Sequence, residues 1–307
     1  MTTTSTPTGS TTGAAPATRA QREQPRPRRS LLRSSRHAVR ALLVALAALL
    51  FVLPLWWTVA SALRPQEETF TTLSPVSIWT ILPRGLTLEN FGRLSEGGFG
   101  LAMVNSILVA TVTIVLGLAV SATAAFALAV LNFPGRTAVF AVLVVSFLVP
   151  FDAIAIPLTG IFLDAGLQNT YLGLILPGIG NGLAVFLLRG FFQGIPRELA
   201  EAARVDGLGS WGVFLRIYLP LSRPALIGAG LILFVFQWQS YLWPLLIAPD
   251  PAKKVAPVAI AQFAGEHGVD FGSIFAGSVV AASAPLLVLL FFQRYFTQSL
   301  SASGLKG

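Results

Sequence analysis

A charged, helix-prone segment over residues 196–220 stands out in a chain whose other long stretches are mostly apolar. Pro196 suits the first turn of a helix, and Glu198 favours the positive N-terminal end of that helix. The pair Asp206-Gly207 predicts a turn, because glycine adopts a positive φ without strain. We therefore expect two short helices that meet at an angle. The first covers residues 196–205, and the second is capped by Ser210 and ends near Leu219-Pro220.

The side chains of this segment have the chemistry of a docking surface. Ala202 and Ala203 are small and let a helix backbone approach another surface closely. Glu201 offers a carboxylate that can accept a charge-assisted hydrogen bond at the edge of such a contact. These residues fit a knob that binds a soluble partner. They fit equally well an amphipathic helix that lies on the bilayer, with Trp211 in the interface.

The composition identifies an integral membrane protein and excludes several kinds of chemistry. The 307 residues are 54% hydrophobic and 11% charged, whereas soluble domains carry about 25% charged residues. Cysteine is absent, which excludes disulfides, thiolate metal sites and cysteine nucleophiles, and two histidines leave little for a zinc or di-iron centre. We expect no catalytic residue, no metal and no cofactor bound by this chain.

Six apolar stretches have the length of membrane-spanning helices, which is about 20 residues. Backbone groups in lipid must form hydrogen bonds within their own segment, so the sequence predicts an all-α membrane protein with six transmembrane helices. The first stretch is too long for the apolar core of a signal peptide, and five more follow, which favours an uncleaved span. The predicted spans lie near residues 41–63, 102–131, 137–158, 172–190, 224–247 and 274–296.

A basic tail over residues 1–36 precedes the six-span domain, which we place at residues 37–307. The tail is rich in Thr, Ser, Pro, Ala and Arg without apolar periodicity, which predicts disorder. Eight arginines fall within residues 19–40. Arg and Lys are in excess on the cytoplasmic flanks of spans, so we expect both termini and the coupling loop, residues 191–223, in the cytoplasm. Nucleic-acid binding is disfavoured, because no folded module or aromatic platform accompanies the arginines.

The charged segment also resembles a known motif. Glu201-Ala202-Ala203, then Asp206-Gly207, then Ile217-x-Leu219-Pro220 resembles the cytoplasmic EAA loop of permease subunits of bacterial ATP-binding-cassette (ABC) importers. Other stretches are similar to the carbohydrate branch of that family, specifically its maltose-permease-like second subunit, and the likeness covers roughly residues 38–307. These stretches are Asn105-Ser106, Ile156-Pro157-Leu158, Asn169-Thr170-Tyr171-Leu172-Gly173, Trp238, Pro244-Leu245 and Gly304-Leu305-Lys306-Gly307.

The resemblance implies a type I importer permease fold with a cytoplasmic coupling helix, in a bacterial inner or plasma membrane. The chain would be one permease half that works with a sister permease subunit, two ATP-binding subunits and an extracytoplasmic solute-binding protein. It has no Gly-x-x-x-x-Gly-Lys-[Ser/Thr] loop to hold phosphates, so ATP and Mg²⁺ are expected in the partner subunit. The residues expected to couple to the ATPase are Glu198, Glu201, Ala202, Ala203, Asp206 and Gly207.

The implied substrate is a sugar, either an oligosaccharide, a disaccharide or a related polyol. Aromatic faces with hydroxyl and amide partners hold such amphipathic molecules, so polar groups inside spans are candidates for the substrate path. The same groups commonly serve as hydrogen-bond partners between helices. Where relatives usually have Trp-Asn, this chain has Trp-Gln, which leaves the sugar open. The candidates are Asn105, Ser106, Gln237, Trp238, Gln239, Ser240 and Tyr241, with Ser278 and Ser283 as further members.

Three features lie outside these motifs. Asp152 is an acid close to a span, where burial of a charge is costly, and we expect it at the outer mouth because Pro157 follows closely. The segments 64–100 and 248–273 are long for simple connections. Each is open to two interpretations, a contact with the binding protein or a lid packed on the outer ends of the helices.

Competing functions come from other classes of membrane protein. Peptide, amino-acid and phosphate permeases share the coupling loop and stay open as alternatives. An ion-coupled carrier should show internal repeats and several intramembrane acids, and a membrane enzyme should show clustered catalytic groups. Neither pattern is visible in the sequence.

Overall fold

The computed structural model describes residues 29–71, 75, 77–265 and 268–303. Most of the predicted disordered tail, residues 1–28, and the C-terminal Gly304-Leu305-Lys306-Gly307 lie outside the described residues. The chain divides into two units, Met1–Leu53 and Pro54–Gly307.

Helices account for almost all of the described structure. The first half contains α1 (Arg29–Ala62), α2 (Glu68–Thr71), α3 (Ile78–Ile81), α4 (Glu89–Glu96), α5 (Phe99–Val130), α6 (Arg136–Leu148), α7 (Phe151–Asp164) and α8 (Tyr171–Ile179). The second half contains α9 (Gly182–Gln193), α10 (Arg197–Val205), α11 (Ser210–Val213), a π-helical turn (Phe214–Tyr218), α12 (Leu219–Leu221), α13 (Arg223–Trp238), α14 (Leu242–Ile247), a 3₁₀ turn (Pro251–Lys253), α15 (Ala256–Ala261) and α16 (Phe271–Ser303). A two-stranded antiparallel hairpin pairs β1 (Ala264–Gly265) with β2 (Gly268–Val269).

In the first unit, α1 begins at Arg29, inside the segment predicted as a disordered tail, because leucine and arginine are good helix formers. Its apolar side chains from Leu42 to Leu53 are exposed all round the helix. A helix that is apolar on every side and exposed suits a lipid surrounding.

The described residues contain three helices long and apolar enough to cross a membrane, within α1, α5 and α16. The number rises to six if each of three bent helix pairs forms one span. The predicted first, second and sixth spans are therefore confirmed as unbroken helices, and the total of six agrees with the prediction.

The prediction of a continuous third span is wrong. Helices α6 and α7 meet at an angle of 98°, with Pro150 as the N-cap of α7. Proline lacks the N–H that an α-helix needs and disfavours helical backbone in the residue before it, so the helix breaks there. The fourth span is also broken, by 42° between α8 and α9, where Asn181 caps α9 by accepting a bond from the Ala184 N–H.

The prediction of a continuous fifth span over 224–247 is also wrong. Helix α13 ends at Trp238, and α14 resumes only at Leu242 after a turn. At its other end, α13 makes an angle of 81° with the helix Ser210–Leu221, and the break falls at the buried Ser222. Pro224 in the first turn of α13 is compatible with a helix start but not with a helix that runs through.

Within the second unit, the connections after the first, third and fifth spans meet at one end. Arg93 of the first connection pairs with Asp270 of the fifth at 3.1 Å. The Asn169 N–H donates to the Ile247 carbonyl at 2.8 Å. The loop that contains α10 lies at the opposite end of α5. Consecutive connections therefore alternate between the two ends of the bundle, as a chain with six spans predicts.

Helix α5 is the centre of the second unit, since it packs on α8, α9 and α13. Three buried apolar clusters surround it. One joins α5 to α9, α10 and α13, the next joins α5 to α4, α15 and α16, and the last joins α5 to α7, α8 and α14.

Candidate functional site

The predicted helix, turn and helix of the coupling loop are present. Helix α10 starts after Pro196 and is capped at its end by Asp206. Gly207 follows with a φ of 87°, a backbone conformation that favours glycine. The prediction that Ser210 caps the second helix is wrong, because Gly209 holds the N-cap position and Ser210 is the first helical residue.

The two faces of α10 have different surroundings. Glu198, Glu201 and Ala202 are exposed, as is the turn at Asp206 and Gly207. Ala200 and Ala203 are buried in the apolar cluster of α5, α9 and α13. Residues three apart share a helix face, so Ala200 and Ala203 pack against the chain's own bundle. The small side chain of Ala203 therefore serves internal packing, whereas Ala202 stays on the exposed side of α10.

Three apolar side chains near the loop are exposed, and of these the sequence placed Trp211 in an interface. Leu199 is 44% exposed, Val205 is 88% exposed and Trp211 is 61% exposed. Because exposed apolar groups next to acids are typical of protein contact surfaces, they extend the candidate docking surface. The signal that could have found Val205 is helical periodicity, which sets it opposite Ala200 and Ala203. Leu199 lies one turn before Ala203, at the edge of the inner face, which agrees with its smaller exposure.

A cleft beside the end of α13 gathers part of the predicted substrate path. The cleft is narrow in this structure, with a volume of about 10 Å³, which has room for about one water molecule. The Trp238 ring stacks on Phe234 with centroids 5.5 Å apart, which fixes the indole at the cleft. An indole with an amide and hydroxyls can hold a molecule that has apolar faces and hydroxyl edges. The lining residues are Ser106, Val109, Gln237, Trp238, Ser240, Pro244, Val255 and Pro257.

The structure brings together four of the seven predicted path residues. Ser106, Gln237, Trp238 and Ser240 line the cleft, whereas Gln239 and Tyr241 are exposed side chains outside its lining. Ser278 and Ser283 donate hydrogen bonds to carbonyls of their own helix, those of Ile274 and Val280. The sequence missed Val109, Pro244, Val255 and Pro257, since apolar cleft walls have the same composition as lipid-facing helices.

Asn105 is 1% exposed, and its side chain binds backbone groups instead of lining the cleft. Its amide nitrogen donates to the Ala252 carbonyl at 3.0 Å and to the Lys254 carbonyl at 2.9 Å. Its amide oxygen accepts a hydrogen bond from the Tyr171 hydroxyl at 2.9 Å. Asn105 therefore has the alternative role that its residue type suggested, a hydrogen-bond partner between elements.

Gly178 sits where α5 and α13 leave no room for a side chain. An added Cβ would lie 2.6 Å from Thr113 Cγ2 and 2.7 Å from Gln237 Oε1. We expect Gly178→Ala to lower the unfolding free energy of the purified protein by about 1–3 kcal/mol through overpacking. Thermal unfolding measures this, with Gly180→Ala as the control because a Cβ there meets nothing within 4 Å. Equal midpoints for the two variants would contradict the packing.

A polar network holds the segments at the opposite end from α10. Arg93 pairs with Asp270 at 3.1 Å, and the Arg93 guanidinium also donates to the Asn90 amide oxygen at 2.6 Å. Burial alone would raise the pKa of Asp270, but hydrogen bonds from Ser273 and the charge of Arg93 outweigh it and lower that pKa. The Lys253 ammonium lies 3.8 Å from the Tyr171 ring centroid. These contacts support the lid interpretation of the two long segments.

Asp152 is exposed in the first turn of α7, immediately after the break at Pro150. A carboxylate is favourable at the positive N-terminal end of a helix, which gives Asp152 a structural reason for its position. Over the part of the chain that the structure describes, no group of three or more His, Asp or Glu side chains could hold a metal ion.

Sequence comparison places the chain among transport proteins. Residues 114–302 match the profile of the family described as binding-protein-dependent transport system inner membrane component. The chain is 33% identical to the arabinooligosaccharides transport system permease protein AraQ of Halalkalibacterium halodurans, over 86% of this chain and 94% of that relative. It is 33% identical to the trehalose transport system permease protein SugB of Mycobacterium tuberculosis, over 83% of this chain and 93% of that relative.

Solved structures show a similar fold. A chain of a bacterial ABC transporter involved in import of the acidic polysaccharide alginate superposes with a TM-score of 0.74. The match covers 86% of this chain and 98% of that one at 21% identity. The alginate transporter in complex with its pentasaccharide-bound periplasmic protein matches with a TM-score of 0.57 at 16% identity. The architecture is therefore that of an ABC importer permease, with several helices that span the membrane.

Proposed function

Because the chain belongs to the family of binding-protein-dependent transport system inner membrane components, we propose that it is the permease subunit of an ATP-driven sugar importer. It is a transport subunit and not an enzyme. The observation that carries the proposal is the coupling loop, since α10 packs one face on the bundle and leaves Glu198, Glu201 and Ala202 exposed for a partner.

The substrate class follows from the relatives and from the cleft. Relatives that match over most of their length carry the names of arabinooligosaccharide, trehalose and lactose transport systems. The cleft offers the indole of Trp238, the amide of Gln237 and the hydroxyl of Ser240, groups that suit a molecule with many hydroxyls. An oligosaccharide, a disaccharide or a related polyol is the cargo that the chemistry of this lining suits, and the cleft must open wider to admit it.

The partners of the importer follow from its function. A sister permease completes the pathway, two ATP-binding subunits supply ATP and Mg²⁺ sites, and an extracytoplasmic binding protein delivers the sugar. The docking surface of α10 faces the cytoplasm in this arrangement, and so do both termini, because the basic residues are concentrated on that side. The membrane is the inner or plasma membrane of a bacterium.

Transport is proposed to proceed by alternating access. ATP binding draws the two ATP-binding subunits together and displaces the docked α10 as a rigid body. The bundle then changes between an inward-facing and an outward-facing arrangement, and the ligand shifts the balance between these states. The cleft at Trp238 holds sugar in one state and releases it in the other.

Glu201→Lys is expected to weaken binding of the ATP-binding subunit about 10- to 100-fold, as for loss of a hydrogen bond to a charged group. The measurement is copurification from native membranes in mild detergent, with partners identified by mass spectrometry. Glu89→Lys is the matched control, since Glu89 is also an exposed acid of a short helix but lies at the opposite end of the bundle. Equal recovery of the ATP-binding subunit from both variants would contradict the docking assignment.

A further inference from the structure

Four aromatic side chains meet where the coupling loop joins the bundle. Phe126 of α5 lies 5.1 Å from Phe214 and 5.2 Å from Tyr218, and Phe192 of α9 lies 5.7 Å from Tyr218, measured between ring centroids. Each of the four is at most 5% exposed. Ring pairs at these separations attract one another beyond the burial of their area, so the four side chains form a close-packed aromatic cluster.

The coupling loop is joined to this aromatic cluster from the inside. Ala200 and Ala203 of α10 and Val213 of α11 belong to the same buried core as the four rings. On the outer side, the Trp211 ring is 61% exposed and lies 5.2 Å from the Phe214 ring. Close-packed interiors have low compressibility. A displacement of the exposed side of the coupling loop should therefore displace Phe126 by a similar amount.

Helix α5 extends from the aromatic cluster towards the cleft without a break. Its 32 residues contain no proline. Elsewhere in the chain, three pairs of consecutive helices meet at angles of 98°, 42° and 81°. Phe126 and Ser106 are 20 residues apart, which corresponds to about 30 Å along an α-helix. An unbroken helix of this length moves as one piece.

The other end of α5 forms one wall of the cleft. It also binds the segment that forms a second wall, which contains Val255 and Pro257. Ser106 lines the cleft, and its hydroxyl oxygen accepts a hydrogen bond from the Ala256 N–H at 2.8 Å. Asn105 binds the carbonyls of Ala252 and Lys254. A shift of α5 along its axis therefore carries the lining residues Val255 and Pro257 with it.

We propose that the aromatic cluster and α5 together transmit motion of the coupling loop to the substrate cleft, with Phe126 as the positioning residue that joins them. The inference rests on the proposed importer function. It assigns Phe126 a role that neither docking nor sugar binding requires, since its ring is buried behind the docking surface and lies about 30 Å along α5 from the cleft.

The test uses a cysteine at the cleft, because the chain has none of its own. The Ser240→Cys chain is assembled with its partner subunits, and the rate of labelling by a small thiol reagent is measured with and without ATP. ATP is expected to change this rate. Adding Phe126→Ala is expected to reduce the ATP-dependent change about 2- to 30-fold, the range for contacts that carry coupling between sites. ATP hydrolysis by the assembled complex should continue.

Phe162→Ala is the matched control, since Phe162 is a partly buried ring that packs on Trp243 with centroids 5.0 Å apart, and it lies in α7, outside α5 and the aromatic cluster. It should destabilise the complex similarly and retain the ATP-dependent change. Phe126→Leu, which keeps bulk for folding, should show a smaller loss of the same kind. An unaltered ATP response in both Phe126 variants would overturn the inference alone. Absence of any ATP response in the Ser240→Cys parent would overturn the importer function as well.

Discussion

Replacement of Asn105 by leucine is expected to destabilise the protein by about 1.5–4.5 kcal/mol, because it removes three hydrogen bonds that are worth about 0.5–1.5 kcal/mol each. Leucine has the same branching of heavy atoms as asparagine but is larger, so the change removes the polar contacts and adds some bulk. Asn105 is 1% exposed, so water cannot easily replace its side chain. Its loss removes the hydrogen-bond partner of the Ala252 carbonyl, the Lys254 carbonyl and the Tyr171 hydroxyl. The segment that carries Val255 and Pro257 should then detach from α5, and the cleft should lose one wall.

Thermal unfolding of the detergent-solubilised complex and limited proteolysis of the 248–257 segment measure this effect. Tyr171→Phe is the matched control, since it removes only the hydrogen bond to the Asn105 amide oxygen and keeps the ring beneath Lys253. Its cost should be about 0.5–1.5 kcal/mol, the usual net value of one hydrogen bond. If the two variants unfold at the same temperature, Asn105 does not hold the outer segment.

Gly207→Val is expected to abolish recovery of the ATP-binding subunit and sugar uptake while the chain still inserts in the membrane. Gly207 has a φ of 87°, and a Cβ there meets nothing within 4 Å, so the strain is purely in the backbone. The left-handed conformation costs ordinary residues about 1–2 kcal/mol, and a β-branched residue is less tolerant still. The turn should therefore rearrange, and α10 should lose its position relative to α11.

Two controls separate conformation from bulk. Gly207→Asn adds a side chain that tolerates the left-handed region, and it should retain most of the uptake. Gly209→Val adds the same side chain two residues away, where φ is −71° and a Cβ also meets nothing within 4 Å. It should have little effect on copurification. Normal assembly of Gly207→Val, or equal loss in Gly207→Asn, would contradict the turn geometry.

The two predictions concern opposite ends of the same helix. Asn105 fixes the outer segments on α5, and Gly207 sets the angle of the loop that packs near Phe126. If α5 transmits motion between these ends, damage at either one should lower uptake, but only damage at the loop should lower recovery of the ATP-binding subunit. The pattern of loss therefore reports which end of the mechanism a variant affects.

The sequence determined the features that depend on composition and on neighbours within a few residues. Membrane insertion follows from six apolar stretches, and the helix, turn and helix of the coupling loop follow from Pro196, Asp206 and Gly207. The family resemblance was also visible in linear spacing, because the loop motif is contiguous. These features need no knowledge of distant contacts.

The tertiary structure alone decided which side chains share a surface. Ala202 and Ala203 are adjacent in sequence and of one type, yet only Ala203 meets the core of α5 and α9. Asn105 was a candidate for substrate contact until its partners, 147 and 149 residues away, were known. Local propensity acts over one or two helical turns, whereas the role of a buried polar group is set by whichever distant element packs against it.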